Sequence, residues 1–152
     1  YNVPLIINDN VKLAKEIDAD GVHLGQDDLD IKAAREYLGA DKIIGVSAHN
    51  VKEALEAENG GADYLGSGAA FVTSTKTDAG AIDHKVLSDV AHSVKIPVVA
   101  IGGINKDNIS QLEGLGLDGV AVVSAIFAAD DISSAVIDLK AKAEKVAESS
   151  VK

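Results

Sequence analysis

The sequence predicts an α/β protein of the (β/α)8 TIM-barrel class, with about six of the eight βα units present in the chain. Short β-branched runs alternate with longer stretches of helical periodicity. The runs are nearly continuous in apolar residues, as is typical of parallel strands. Glycine and polar residues follow every run, whereas the G-x-G-x-x-G turn of an open dinucleotide-binding sheet is absent after the first run. A site assembled from all the strand ends is what a barrel provides.

The elements follow in order along the chain. The first three units are predicted as strand 5–8 with helix 10–17, strand 21–24 with helix 31–38, and strand 43–47 with helix 51–58. The third helix has an amphipathic face, an N-cap at Asn50 and a glycine pair at its end. The last three units pair strand 64–67 with helix 85–94, strand 98–101 with helix 106–115, and strand 120–124 with helix 132–147. We expect residues 1–152 to form a partial barrel domain that lacks roughly the first two units, upstream of Tyr1.

Composition excludes several classes of partner. The chain has 152 residues, enough for one domain, and its 14 basic and 24 acidic residues give a net charge of −10. This charge disfavours nucleic acid and anionic membranes, and no apolar run approaches the roughly 20 residues that span a bilayer. The absence of cysteine excludes thiol chemistry and cysteine-ligated zinc and favours a cytoplasmic location. Oligomeric state is left open, a homo-oligomer included.

Two carboxylates follow the first two predicted strands. Asp9 and Asp28 would project from adjacent strand ends toward one point, and such a pair suits Mg²⁺, which completes its octahedron with water and phosphate oxygens. The alternative is that Asp9 caps the first helix and that Asp27 or Asp28 caps the second.

Three later strand ends carry groups that could bind anions. The loop Thr73-Ser74-Thr75-Lys76 offers three hydroxyls and an ammonium, although a solvated polar loop is the alternative. Gly102-Gly103 and Ser124-Ala125 occupy the place where barrels often hold phosphate on backbone amides.

The positions of the four histidines in the sequence indicate different roles. His23 lies within an apolar strand and is interpreted mainly as a packed or hydrogen-bonded core residue. His49, at a strand end, could face a substrate, and His84 and His92 are interpreted as surface residues.

Taken in order, the strand ends form a recognisable series of motifs. These are I-I-N-D-N at 6–10, A-D-G-V-H-L-G-Q-D-D at 19–28, I-I-G-V-S-A-H at 43–49, T-S-T-K-x-D-A at 73–79, V-V-A-I-G-G-I at 98–104 and D-G-V-A-V-V-S-A-I at 118–126. The series resembles the thiamine phosphate synthase family over almost the whole chain. The resemblance implies a β/α barrel that couples hydroxymethylpyrimidine diphosphate to hydroxyethylthiazole phosphate, giving thiamine phosphate and pyrophosphate through a pyrimidine-cation-like step.

The resemblance also implies roles for individual residues. Asp9 and Asp28 would bind Mg²⁺, and the diphosphate would be contacted by Asn8, Ser47 and Lys76, of which Ser47 and Lys76 would be catalytic. The thiazole phosphate would be surrounded by Thr73, Thr75, Gly103, Val123 and Ser124. Two alternatives are a thiazole tautomerase of the same fold, which should lack the magnesium pair and the T-x-T-K cluster, and a noncatalytic barrel that binds a thiazole or pyrimidine phosphate.

Overall fold

The computed structural model describes residues 2–72 and 81–150, in which six strands alternate with helices. In chain order the elements are β1 (Ile6–Asn8), α1 (Val11–Glu16), β2 (Gly21–Leu24), α2 (Ile31–Leu38), β3 (Ile43–Ala48), α3 (Val51–Gly60), β4 (Tyr64–Ser67), α4 (His84–Ser93), β5 (Val98–Ile101), a 3₁₀ helix (Ile109–Leu112), β6 (Gly119–Ala121), α5 (Ser124–Phe127) and α6 (Ile132–Glu148). The α/β class predicted from the sequence is confirmed.

The six strands form one parallel sheet in the order β1-β2-β3-β4-β5-β6. Each strand pairs with its neighbour in sequence, so that Val22 lies opposite Ile44 and Leu65 opposite Val98. The sheet curls into part of a barrel. Within the described residues, 2–72 and 81–150, no strand pairing joins β6 to β1. Within the same ranges, no helix combines the length and apolarity needed to cross a bilayer.

The core lies between the helices and one face of the sheet. Alternate strand residues on that face, including Val22, Ile44, Leu65 and Val98, are fully buried. The opposite face departs from the nearly continuous apolar pattern of the predicted strands, because His23, Gly45 and Tyr64 lie side by side across β2, β3 and β4. Side chains alternate between the two faces of a strand, so the polar and glycine positions share the interior of the curl.

The predicted helix over residues 106–115 is wrong. Only the 3₁₀ helix Ile109–Leu112 forms there. Two asparagine side chains bind the backbone ahead of it, because Asn105 N–H donates to Asn108 Oδ1 and Asp107 N–H donates to Asn105 Oδ1. Such local bonds compete with the helical ladder. Gly114 then adopts a positive φ of 76° and ends the segment.

The predicted strand over residues 120–124 is too long at its C-terminal end. Among the described residues β6 pairs with β5 alone, and the last paired residues are Ile101 and Ala121. Gly102 follows Ile101 with φ 101° and turns the chain away, so β5 offers β6 no further pairing positions. The Val123 carbonyl instead accepts from Ile126 and Phe127, and Ser124 begins α5.

Candidate functional site

A cavity of about 240 Å³ opens at the carboxyl ends of the strands. Residues from all six strands or the segments that follow them line it: Asn8, His23, Ser47, His49, Gly66, Gly68, Ala69, Ile101, Gly102, Gly103, Ile104, Ala121, Val122, Val123 and Ser124. The carboxyl ends of parallel strands meet at one edge, which brings residues from distant parts of the sequence together.

A chain of hydrogen bonds crosses one wall of the cavity. His23 Nδ1 lies 3.0 Å from the Tyr64 hydroxyl, and His23 Nε2 lies 3.0 Å from Ser47 Oγ. Burial raises the pKa of Tyr64, so its hydroxyl keeps its proton at neutral pH. Both imidazole nitrogens of His23 thus have hydrogen-bond partners, and the bond to His23 orients the Ser47 hydroxyl.

Two glycines make room for these rings. A Cβ at Gly45 would lie 2.1 Å from Tyr64 Cζ, and a Cβ at Gly66 would lie 3.0 Å from His23 Cε1. Neither glycine has a positive φ, so space rather than backbone conformation requires them.

The turn after β5 forms another wall of the cavity. Gly103 has φ 65°, and its carbonyl accepts a hydrogen bond of 2.9 Å from Asn108 Nδ2. The chain after β4 packs against this turn, because Phe71 N–H donates to the Gly102 carbonyl at 3.0 Å. A Cβ at Gly103 would lie 2.8 Å from the Val72 carbonyl oxygen, so any side chain there would displace the segment that leads to Thr73.

Asp9 and Asp28 are exposed at the carboxyl ends of β1 and β2, and neither is a helix N-cap. Asn10 Oδ1 accepts from Leu13 N–H at the start of α1, and Asp30 caps α2 by accepting from Lys32 and Ala33 N–H. The alternative interpretation of the two carboxylates as caps is therefore wrong.

Each of the two carboxylates has a distinct local geometry. Asp28 Oδ2 accepts from Gly25 N–H at 2.7 Å, and a Cβ at Gly25 would lie 3.0 Å from that oxygen, so the glycine leaves room for the carboxylate. Asp9 has φ 62°, a left-handed conformation that aspartate adopts more readily than most residues. Across residues 2–72 and 81–150, no group of three or more His, Cys, Asp and Glu side chains could hold a metal ion. The Mg²⁺ role of Asp9 and Asp28 stays a prediction.

The structure brings part of the predicted site together. Asn8, Ser47, Gly103, Val123 and Ser124 all line the cavity. Asp28 lines a second cavity of about 190 Å³ between the β2–α2 loop and α3, and Asp9 is not among the lining residues of either cavity.

Thr73, Thr75 and Lys76, which complete the predicted site, lie outside the described residues.

Sequence reasoning missed Tyr64 and assigned His23 mainly to the core. His23 is half-buried and hydrogen-bonded, as interpreted, but it also lines the cavity. Strand register could have identified both residues, because His23 and Tyr64 each pair with Gly45 and therefore lie on the same face of the sheet.

Comparison with known proteins gives a consistent result. The model of the family described as thiamine monophosphate synthase matches residues 1–126. A thiamine-phosphate synthase from Clostridium acetobutylicum is 55% identical over 132 residues, which are 87% of this chain and 63% of the relative. One from Methanobrevibacter smithii is 55% identical over 129 residues, or 85% of this chain and 62% of the relative. The chain thus spans less than two thirds of the length of these two curated relatives.

A solved structure adds the same similarity in three dimensions. The thiamine phosphate pyrophosphorylase from Pyrococcus furiosus superimposes with a TM-score of 0.87 at 46% identity, covering 96% of this chain and 70% of that one. Sequence and fold agree, and the chain belongs to the thiamine monophosphate synthase family.

Proposed function

We propose that the protein is a transferase that couples hydroxymethylpyrimidine diphosphate to hydroxyethylthiazole phosphate, with release of pyrophosphate. The observation that carries the proposal is the shared cavity. It is lined both by residues expected to contact the diphosphate, Asn8 and Ser47, and by residues expected to contact the thiazole phosphate, Gly103, Val123 and Ser124. A coupling reaction requires its two reactants side by side in one space.

The chain's own groups suit the two anionic substrates. The Asn8 amide and the Ser47 hydroxyl can donate hydrogen bonds to the diphosphate, and His23 orients Ser47. The backbone N–H groups around Gly103 and the Ser124 hydroxyl can receive the thiazole phosphate at the opposite wall. By the family resemblance, Thr73 and Thr75 add hydroxyl donors and Lys76 adds a cation.

Asp9 and Asp28 offer the hard oxygen donors that Mg²⁺ prefers, and both are exposed at the carboxyl ends of the paired strands β1 and β2. These two residues would hold the ion. Once bound, Mg²⁺ would neutralise charge on the diphosphate and so make pyrophosphate a better leaving group.

In the proposed reaction the bond between the pyrimidine methylene carbon and the diphosphate oxygen breaks first. The pyrophosphate keeps the electron pair, and the methylene becomes cation-like. Donors fixed in the cavity stabilise the charge that grows on the departing oxygen. The thiazole nitrogen then gives its lone pair to the methylene carbon, which forms thiamine phosphate. No nucleophilic side chain takes part.

The six-stranded sheet is, in this proposal, part of an eight-stranded β/α barrel. Its parallel strands in sequential order and its cavity at the carboxyl edge are typical of that architecture.

The test is to incubate the purified full-length protein with both precursors and Mg²⁺, measuring pyrophosphate and the mass of the organic product. We expect stoichiometric thiamine phosphate and pyrophosphate, with no product when a precursor is omitted or Mg²⁺ is chelated. Isomerisation of a thiazole phosphate without pyrophosphate release would show a tautomerase. Binding of both phosphates without any conversion would show a noncatalytic barrel, and either result would overturn the proposal.

A further inference from the structure

We propose that His49, held in place by Glu53, is a phosphoryl-binding side chain of the cavity. His49 directly follows β3 and lines the cavity together with Asn8 and Ser47. Its Nδ1 lies 2.9 Å from Glu53 Oε2, and about half of the imidazole is exposed. The proposal rests on the proposed function, because it takes the ligand to be a phosphorylated substrate.

Glu53 is fixed by a network at the start of α3. Its carboxylate accepts from His49 N–H at 2.8 Å and from Asn50 Nδ2 at 2.6 Å, while Asn50 Oδ1 accepts from Glu53 N–H at 3.0 Å. Burial raises the pKa of Glu53, but the hydrogen bonds from His49 and Asn50 outweigh it and leave the pKa lowered. The carboxylate is therefore ionised and immobile beside the imidazole.

The contact with Glu53 determines which nitrogen of the His49 imidazole can bind a ligand. With Nδ1–H donating to Glu53, the opposite ring edge, which carries Nε2, is left for the cavity. To donate from both nitrogens at once, Nδ1–H to Glu53 and Nε2–H to a phosphoryl oxygen, the ring must hold both protons, and the proposal is that it contacts the anion in this form.

The rest of the described lining is poor in side chains that could carry positive charge. Its side chains include no lysine or arginine, and the other titratable group is His23. Both nitrogens of His23 are already engaged, one by Tyr64 and one by Ser47. Among the described lining residues, His49 is thus the side chain able to bring positive charge to an anionic ligand.

A capping role alone would explain Glu53 but not His49. Glu53 sits in the first turn of α3, where its N–H donates to Asn50 Oδ1 and its carboxylate accepts from His49 N–H and Asn50 Nδ2, and none of these bonds requires the imidazole. The two roles separate experimentally, because capping affects stability and phosphoryl binding affects the KM of a substrate.

The first experiment measures kcat, both KM values and the melting temperature for His49→Gln and Glu53→Gln. The matched control is His92→Gln, since His92 lies on α4 outside the cavity and bonds to Ser88. We expect His49→Gln to raise the KM of one substrate roughly tenfold, the scale of losing one charge-assisted hydrogen bond, with little change in kcat or melting temperature. The affected substrate identifies whether the phosphoryl group belongs to the diphosphate or to the thiazole phosphate.

Glu53→Gln should raise the same KM by a smaller factor, because it removes the carboxylate charge and leaves the imidazole. His92→Gln should change neither KM. If His49→Gln keeps both parent KM values, or if Glu53→Gln lowers only the melting temperature, the paired role is overturned.

The second experiment does not depend on turnover. Inorganic pyrophosphate and inorganic phosphate are titrated separately into the parent protein, and the imidazole nitrogens are followed by NMR with His49→Gln assigning the signal. We expect the His49 Nε2 resonance to move toward the protonated position on saturation with at least one anion. This response in a protein that fails to couple the precursors would support the His49 role and refute the proposed function. Turnover of both precursors with an unresponsive His49 signal would support the proposed function and refute the His49 role.

Discussion

Replacing Gly45 with alanine should disturb both the packing inside the sheet and the hydrogen bonds of the cavity wall. The new methyl group would lie 2.1 Å from Tyr64 Cζ and 2.5 Å from its hydroxyl oxygen. Carbon atoms pack best at about 3.5–4.0 Å, so the ring must move. The displacement acts directly on the hydroxyl that contacts His23 Nδ1 at 3.0 Å.

The magnitude follows from the surroundings of the ring. Tyr64 is partly buried between neighbouring strands and cannot swing away as the end of a flexible chain could. Inserting a methylene into such a site costs about 1–3 kcal/mol. For a protein of this size each kcal/mol lowers the melting temperature by roughly 2–4 °C. Turnover should fall as well, because the Tyr64–His23–Ser47 chain loses its first contact.

Thermal melting and steady-state kinetics measure the two effects, with Gly119→Ala as the matched control. Gly119 also lies in a strand, but the nearest atom to its added Cβ is Val99 Cγ1 at 3.7 Å, an ordinary contact. That variant should be neutral or slightly stabilised through reduced freedom of the unfolded chain. In a Tyr64→Ala background, Gly45→Ala should cost little. If Gly45→Ala melts like Gly119→Ala, or costs as much without the ring as with it, the steric reasoning fails.

Three further predictions concern charged groups. Asp28→Ala, and equally Asp9→Ala, should abolish Mg²⁺-dependent pyrophosphate release with little change in melting temperature. The control Asp30→Ala removes a helix cap, so it should lower the free energy of unfolding by about 1 kcal/mol and spare turnover. The reverse pattern would contradict the metal assignment. Lys76→Ala should lower kcat by roughly two to three orders of magnitude with thiazole phosphate affinity nearly unchanged, and a parent-like rate of pyrophosphate release would refute its role. The pKa of Glu53 is lowered on folding, so its stabilising effect is present above the unfolded pKa and lost as pH falls through the folded pKa. Melting of Glu53→Gln should therefore differ from the parent at neutral pH and converge with it in acid, and a difference that persists in acid would count against this linkage.

The sequence was sufficient to predict the sheet because burial on the helix side imposes a simple pattern. Each predicted strand is a short, largely apolar run. Four residues of these runs are fully buried in the structure: Val22, Ile44, Leu65 and Val98. Prediction failed after β5, where Asn105 and Asn108 bind the backbone through their side chains. Hydrophobic periodicity contains no information about such hydrogen bonds. It therefore predicts a full helix over residues 106–115, which does not form.

The candidate site shows a different limit. Asn8, Ser47 and Gly103 were found because each follows or ends a strand, and parallel strands bring such positions together without further detail. Tyr64 and His23 lie within strands, where an aromatic or a histidine is equally compatible with a core. Gly45 lies opposite both residues on the ladder, and Gly66 lies opposite Ser47; a Cβ at either glycine would come within 3.0 Å of one of the two rings. A glycine inside a predicted strand should therefore be examined together with the residue across the ladder, because the pair, and neither residue alone, carries the information.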